Sequence, residues 1–242
     1  MIGDRYVKMN DFYFMGQKIV NLLNPEGPEY ELLLRSHSIP GFPAEQYVAY
    51  MTSEELHLEY LSFLEHELNH ILALNPGNKF GLNLDQQELE YDATLDFLKK
   101  INPEFRGNLT IEITELPPLK RHKSYPKSIN VEVIKQINLL GYRVALDDIT
   151  QGNNSIGNLL LVMPYIHQIK WSYVHVINRI PNESIEGIIQ FLNKLSHQFD
   201  LELVIEGIEA SEISDWLVKN NITNQQGYLF AKPAGVEPIK LI

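Results

Sequence analysis

Leu109-Thr-Ile-Glu-Ile-Thr-Glu115 alternates apolar and polar residues and stops on an acid. Successive strand side chains point to opposite faces, so Leu109, Ile111 and Ile113 share one face and Thr110, Glu112 and Thr114 the other. Val144-Ala-Leu-Asp-Asp148 and Leu203-Val-Ile-Glu-Gly-Ile-Glu209 end in the same way. An apolar run that stops on a carboxylate reads as a strand delivering that carboxylate to the rim of a sheet. Three such runs, separated by helical periodicity, point to a barrel mouth furnished for divalent cations.

Working outward, strands are predicted over Phe12–Leu23, Tyr30–Ser36, Lys79–Asp85, Asn108–Glu115, Arg143–Ile149, His167–Tyr173, Leu201–Gly207 and Gln226–Phe230. Apolar residues at helical spacing predict helices over Ser53–Leu74, Gln87–Lys100, Ile129–Leu140, Ser184–Phe199 and Ser211–Asn220. Asn75-Pro-Gly77, Ile101-Asn-Pro103, Gly141 and Pro181 punctuate them. Eight strand candidates in a 242-residue chain with no linker or repeat favour an α/β fold, a (β/α)8 TIM-like barrel occupying residues 1–242 as a single domain. Only Asn24–Pro28 separates the first two strands, too little for a helical crossover, so one antiparallel pair is expected near the N-terminus. An open doubly wound sheet is the competing fold, but no Gly-x-Gly-x-x-Gly follows a strand and there is no Walker loop.

A formal charge of −11 argues against a DNA or RNA polymer as partner, because a broad basic face is missing. The basic run Lys120-Arg-His-Lys123 follows Pro117-Pro118 and reads as a solvated loop. The absence of cysteine excludes disulfides and thiolate metal sites. No apolar run reaches the ~18 residues of a membrane span, and Met1-Ile-Gly-Asp-Arg-Tyr6 lacks the features of a signal peptide. A cytoplasmic protein without membrane contact is therefore expected. A small anionic ligand stays open, since bound cations invert the local sign of a site.

Face alternation adds candidates from strands that look merely apolar. In Glu31-Leu-Leu-Leu-Arg35, Glu31, Leu33 and Arg35 lie opposite Leu32 and Leu34; in Phe80-Gly-Leu-Asn-Leu-Asp85, Asn83 lies opposite Leu82 and Leu84. If the aliphatic faces meet the outer helices, Glu31, Asn83 and Glu112 point into the barrel. Glu31, Glu112, Asp147, Asp148, Glu206 and Glu209 would repel one another there, and Lys170 in Gln168-Ile-Lys170 supplies one countercharge. Divalent cations with oxygen ligands are the natural remainder. A carboxylate set able to bridge two ions suits phosphoryl chemistry.

His66-Glu-Leu-Asn-His70 matches the zinc-protease pattern letter for letter. Helical geometry argues against it. Glu59, Ser62, His66, Asn69 and His70 form one polar stripe, and Leu61, Leu64, Leu68 and Ile71 form the apolar stripe expected to face the barrel. His37, His57, His122, His167, His175 and His197 lack partners at metal-ligand spacing and read as surface or packing residues. Trp171 reads as core or interface, and no Gly-x-Ser-x-Gly elbow is present.

Taken together, these motifs resemble the EAL domain family, bacterial cyclic di-GMP phosphodiesterases, from about Phe14 to Pro233. Glu31-Leu-Leu-Leu-Arg35 resembles the family's Glu-x-Leu-x-Arg, Asn83 its Asn-x-Ser, and Glu112-Ile-Thr-Glu115 its Glu-x-x-Glu. Asp147-Asp148 resembles the start of Asp-Asp-Phe-Gly-Thr-Gly, Lys170 the lysine of Lys-Ile-Asp, and Glu206-Gly-Ile-Glu209 the family's Glu-Gly-Val-Glu. Gln226-Gly-Tyr-Leu-Phe-Ala-Lys-Pro233 resembles its closing Gln-Gly-Tyr segment. The resemblance implies a stand-alone barrel that forms dimers and hydrolyses cyclic di-GMP to linear pGpG with two Mg²⁺ or Mn²⁺ ions. It places Glu31, Asn83, Glu112 and Asp147 on one metal, and Asp147, Asp148 and Glu206 on the second. Arg35 and Leu33 are implied substrate contacts. Glu206, Lys170, Gln226 and Glu209 are the catalytic candidates, and Glu115 is expected to brace the loop after Asp148. The chain departs from the pattern at Ile149, Thr150, Ser172 and Asp85. Thr150 stands where a glycine would supply φ > 0 or close approach, and a β-branched residue tolerates neither well. A non-catalytic regulator that binds cyclic di-GMP or a protein partner is the alternative.

Overall fold

A computed structural model describes residues 11–23 and 27–236. The elements run β1 (Phe12–Asn21), β2 (Glu29–Ser36), α1 (Ala44–Met51), α2 (Glu54–Leu74), β3 (Lys79–Leu84), α3 (Asp92–Lys100), α4 (Pro103–Arg106), β4 (Leu109–Ile113) and α5 (Val131–Leu139). They continue with β5 (Arg143–Leu146), α6 (Ile156–Val162), β6 (Gln168–Ser172), α7 (Asn182–Gln198), β7 (Glu202–Glu206), α8 (Ser211–Lys219), β8 (Asn224–Gln226) and β9 (Ala234–Gly235). Strands β2 to β8 run parallel in chain order, and β1 closes the ring by pairing antiparallel with both β2 and β8. The expected (β/α)8 barrel and its antiparallel pair are both present. The predicted turn at Asn24–Pro28 falls largely outside the described residues.

Alternation along the strands separates two environments. Leu32, Leu82, Ile111, Leu146, Ile169 and Ile205 are buried on the outer face. They meet an apolar shell from the helices that includes Leu64, Leu68, Leu98, Ile134, Leu192 and Leu217. At roughly 25 cal/mol per Å² of apolar surface, this shell is the main source of stability. It leaves the inner face free to carry polar side chains. On α2, Leu61, Leu64, Leu68 and Ile71 are buried while His66 and His70 are exposed, so the zinc-protease pattern faces solvent. Trp171 is 2% exposed and belongs to the core.

Three local readings differ from expectation. The final strand is not Gln226–Phe230 but Asn224–Gln226. After Gly227 the chain turns, with the Phe230 and Ala231 amides donating to the Gly227 carbonyl, and Tyr228 is 55% exposed. An apolar run beside a glycine mimics a strand, but hydrogen bonds decide. Helices α1 and α6 carry no long periodic pattern, being 8 and 7 residues long. Tyr47, Tyr50 and Met51 nonetheless bury α1, and Ser155 caps α6 by accepting from the Asn158 amide. The predicted helix Gln87–Lys100 is split into a 3-10 turn at Glu88–Glu90 and α3.

Buried carboxylates cause that split. Glu88, fully buried, accepts from the Tyr47 hydroxyl at 2.8 Å and the Asp85 amide at 2.9 Å, tying α1 to the end of β3. Glu90 accepts from the His122 and Lys123 amides and from the Tyr125 hydroxyl. The basic loop around residue 121 is thus exposed but anchored. Burial, reinforced by Asp85, pushes the Glu88 carboxyl up to about 8, and its Oε1 has no hydrogen-bond partner.

The pH dependence follows. The folded state binds the Glu88 proton more tightly than the unfolded chain, whose carboxyl has its ordinary value of 4.5. Its contribution is full below 4.5 and is lost as pH rises toward about 8. Urea unfolding in metal-free buffer from pH 5 to 8.5 should show wild type losing on the order of a few kcal/mol relative to Glu88→Gln. Parallel stability curves for the two proteins would contradict this reading.

Candidate metal centre at the barrel mouth

The inner faces of six strands converge on the ammonium of Lys170, which is 0% exposed. Its Nζ lies 2.6 Å from Glu112 Oε2 and 2.6 Å from Glu206 Oε1, and 3.6 Å from both Glu31 Oε2 and Asp147 Oδ1. Asn83 Nδ2 donates to Glu31 Oε1 at 2.8 Å, and Gln226 Nε2 donates to Glu31 Oε2 at 2.7 Å. Registers explain the meeting. Asn83 pairs with Glu112 across β3 and β4, and Glu31 pairs with Gly81 across β2 and β3. A Cβ on Gly81 would sit 1.9 Å from Glu112 Oε1, so this glycine provides the space the carboxylate occupies.

The electrostatics are unbalanced. Burial alone would raise the Glu31 carboxyl, but Lys170 and the amides of Asn83 and Gln226 hold it below its usual range. Burial pushes Glu112 up to about 8, against Lys170 and helped by Glu31 and Asp147. Burial likewise raises Asp147, and it raises Glu206 well above the carboxylate range despite Lys170. Burial pulls the Lys170 ammonium down, yet Asp147, Glu112, Glu206 and Glu31 together hold it well above its ordinary value.

These residues fit divalent cations. Ligand atoms of Glu31, Glu112 and Asp147 all lie within 4.8 Å of one another. Asn83 Oδ1, Glu112 Oε1 and Asp147 Oδ1 are buried without a hydrogen-bond partner. Oxygen donors of this kind suit Mg²⁺ or Mn²⁺.

The other candidates border this cluster. Arg35 and Leu33 line a cavity of about 250 Å³ walled by Phe14, Phe42 and Tyr47, and Arg35 Nη1 donates to the Leu34 carbonyl at 2.8 Å. Glu209, exposed, lines a cavity of about 300 Å³ with Glu206, Gln226, Gln17 and Ser172. Asp148 stands apart from Lys170. Burial first, then Asp147, raises its carboxyl to about 6. Its Oδ1 is 3.3 Å from His175 Nδ1, a partner that sequence spacing did not reveal because it comes from the turn after β6.

The loop after Asp148 is held by residues whose roles the sequence did not announce. Asn154, fully buried, donates through Nδ2 to the carbonyls of Ile113 and Asp147, at 2.8 and 2.5 Å. The Thr150 amide donates to the Asn154 carbonyl at 2.8 Å. Glu115 meets this loop through its main chain, its carbonyl accepting from the Asn153 amide at 2.7 Å. A Cβ on Gly152 would lie 2.2 Å from that carbonyl oxygen. Asp148 and Thr150 both take left-handed backbone, at φ 44° and 82°.

The family model of the EAL domain matches residues 4–233. The protein named "Probable cyclic di-GMP phosphodiesterase PdeG" of Escherichia coli (strain K12) is 32% identical over 185 residues, covering 73% of this chain and 34% of that protein. The chain spans about a third or less of the length of the curated relatives it matches. Among solved structures, the PaMucR phosphodiesterase in complex with c-di-GMP superposes with a TM-score of 0.76 at 17% identity, covering 98% of this chain and 97% of that one. Klebsiella pneumoniae BlrP1 in its manganese/cy-diGMP complex superposes with a TM-score of 0.73 at 20% identity, covering 96% of this chain and 58% of that one.

Thr150 is β-branched at φ 82°, a conformation costing about 1–3 kcal/mol that glycine adopts without strain. After the backbone entropy of glycine is set against it, Thr150→Gly should stabilise the protein by about 1 kcal/mol. The melting temperature should then rise by about 2–4 °C. An unchanged or lower value would mean that the threonine is not strained.

Proposed function

This chain belongs to the EAL domain family, and from that premise we propose that it is a metal-dependent phosphodiesterase opening cyclic di-GMP to linear pGpG. The observation carrying this reading is the convergence of Glu31, Glu112 and Asp147 within 4.8 Å, with Asn83 Oδ1 and Glu112 Oε1 buried and unpartnered. In this reading Glu31, Asn83, Glu112 and Asp147 hold one divalent cation, and Asp147, Asp148 and Glu206 the second. Mg²⁺ or Mn²⁺ bound there would supply Lewis acidity and offset the charge that develops at phosphorus.

The chain's own residues do the rest. The 250 and 300 Å³ cavities give the two halves of a cyclic dinucleotide separate places beside the carboxylates. Arg35, in the first cavity with Leu33, turns its guanidinium from the Leu34 carbonyl to a phosphate oxygen, a charge-assisted bond stronger than the one it leaves. Gln226 fixes Glu31, and Lys170 fixes Glu112 and Glu206, so acids from separate strands keep one geometry. Glu206 borders the second cavity and would take the proton of the attacking water as the phosphorus bond to the ribose 3′-oxygen breaks and that oxygen leaves as the 3′-hydroxyl. Glu209 lines the same cavity and contributes to substrate placement. Glu115 braces the loop that carries Asp148. A single domain, a homodimer and a cytoplasmic location complete the reading on family resemblance.

The altered loop and Ser172 favour the second reading, a receptor that binds the nucleotide or a regulatory protein without cleaving it. Purified protein incubated with cyclic di-GMP and Mn²⁺ or Mg²⁺ should yield pGpG by chromatography. Glu31→Ala should lower turnover by about 100-fold or more, the scale of losing a group that stabilises charge in the transition state. Metal-replete wild type that binds the nucleotide without forming product would sink the enzyme reading and support the receptor.

A further inference from the structure

The cavity of about 250 Å³ beside Arg35 has a largely apolar wall and one pinned carboxylate. Phe14, Leu33, Phe42 and Leu116 form the apolar side, and Asp85 and Thr114 lie on the polar side. Phe42 and Leu116 are 51% and 56% exposed, so large apolar side chains stand at the surface beside a hollow that a flat ring would cover. Asp85 follows directly on β3 and Thr114 on β4, and these adjacent strand ends bring the two together. The Thr114 hydroxyl donates to Asp85 Oδ1 at 2.6 Å. The Tyr47 hydroxyl, which donates to Glu88 at 2.8 Å, lies against the same carboxylate of Asp85. A carboxylate offers about four acceptor positions, so these hydroxyls leave room for further donors from the cavity. The cavity is smaller than the ~300–1,000 Å³ of a site for a whole drug-sized ligand, and it suits one ring system of a larger molecule.

We propose that Asp85 reads the guanine base of one half of the substrate, accepting from its N1–H and its 2-amino group while the apolar wall covers the ring. The inference rests on the reading of this protein as acting on cyclic di-GMP, and deepens it by naming the residue that selects the base. Guanine sets two donors side by side on that edge, a match for the two oxygens of one carboxylate. Adenine presents a ring-nitrogen lone pair there, which a carboxylate repels. Hypoxanthine keeps the N1–H and lacks the amino group, so it forfeits one of the two bonds. Arg35 lines the same cavity, so the phosphate contact and the base contact fall on one half of the dinucleotide. Asp85 stands where the family pattern has serine, whose single hydroxyl oxygen cannot accept from both donors in this way, so the selectivity belongs to this chain.

Calorimetry in metal-free buffer, where turnover does not intrude, compares cyclic di-GMP with cyclic di-IMP, its hypoxanthine counterpart, and with cyclic di-AMP. Wild type should bind cyclic di-GMP about 10–100-fold more tightly than cyclic di-IMP, the scale of a hydrogen bond to a charged group, and cyclic di-AMP more weakly still. Asp85→Asn keeps an acceptor for Thr114 but turns one oxygen into a donor. It should cut the ratio between the first two nucleotides by about tenfold, with an unchanged circular dichroism spectrum. Thr114→Val leaves the carboxylate but frees it, and should cut the ratio less. Glu115→Gln, which alters the other acid on this wall, should not change it. A ratio that survives Asp85→Asn, a variant that weakens both nucleotides equally, or wild type that binds all three alike overturns the role of Asp85 and leaves the dinucleotide reading standing. If Asp85→Asn fails to fold, an undiminished ratio in Thr114→Val overturns it instead. Wild type that binds no cyclic dinucleotide, with or without Mg²⁺, overturns both.

Discussion

One ammonium holds the mouth of this barrel together. Lys170 reaches Glu112 and Glu206 at 2.6 Å and stands 3.6 Å from Glu31 and Asp147, with no exposure to water. Removing one member of a buried ion pair typically costs about 3–5 kcal/mol, because the partner is left charged and unsolvated. Here the ammonium has four carboxylate neighbours, so one positive charge cannot neutralise them all. The surplus appears as raised carboxyls, with Glu112 pushed to about 8 by burial and by its acidic neighbours. Protons are a poor substitute for cations in such a site. They occupy the same oxygens but cannot bridge carboxylates from separate strands. Lys170 keeps the acids close enough for a cation to displace the protons without rebuilding the barrel.

That arrangement depends on where the strands place small residues. Gly81 leaves room for the Glu112 carboxylate, and Ala145 is the register partner of Glu112 on the following strand. A long lysine side chain crossing the interior needs neighbours that do not compete for volume, and both positions meet that demand. Closure by β1 serves the same end. Running against β2, it sets Gln17 opposite Glu31, and running against β8 it sets Ile19 opposite Gln226. The antiparallel strand thus joins the strands that carry Glu31 and Gln226, which a purely sequential parallel ring would have to bring together in another way.

Strand faces were readable in the chain because a period of two needs no knowledge of tertiary contacts. Alternation placed Glu31, Asn83 and Glu112 on inner faces, and apolar partners such as Leu32, Leu82 and Ile111 are indeed buried outside. Residues whose work depends on distant partners were not readable. Asn154 carries no local signal, and only the fold brings it to the carbonyls of Ile113 and Asp147. Glu88 looked like one residue of an ordinary helix until Tyr47, 41 positions away, supplied its hydrogen bond. His175 gives no local sign of its contact with Asp148, because the two come from different βα loops. The apolar run after Gln226 misled for the opposite reason. Its local pattern was that of a strand, while the turn hydrogen bonds at Gly227 took precedence.

The loop after Asp148 shows how a local rule can be overruled. A β-branched residue disfavours left-handed backbone, yet Thr150 holds φ 82° between the amide bond it gives to Asn154 and the tight packing of Gly152 on Glu115. Those contacts fix the loop at both ends. Asn154 fastens it to the carbonyl of Asp147, inside the barrel, and the Asn153 amide fastens it to the carbonyl of Glu115, at the rim. Asp148 lies between these anchors with a left-handed backbone of its own. A shift of the chain at residues 115–116 has no slack to absorb it at Gly152, where even a methyl group has no room. It must pass along the loop to Asp148, and from there to the 3.3 Å contact with His175. Glu31, Glu112 and Glu206 sit on strands of the barrel, whereas Asp148 sits on the loop anchored at the rim.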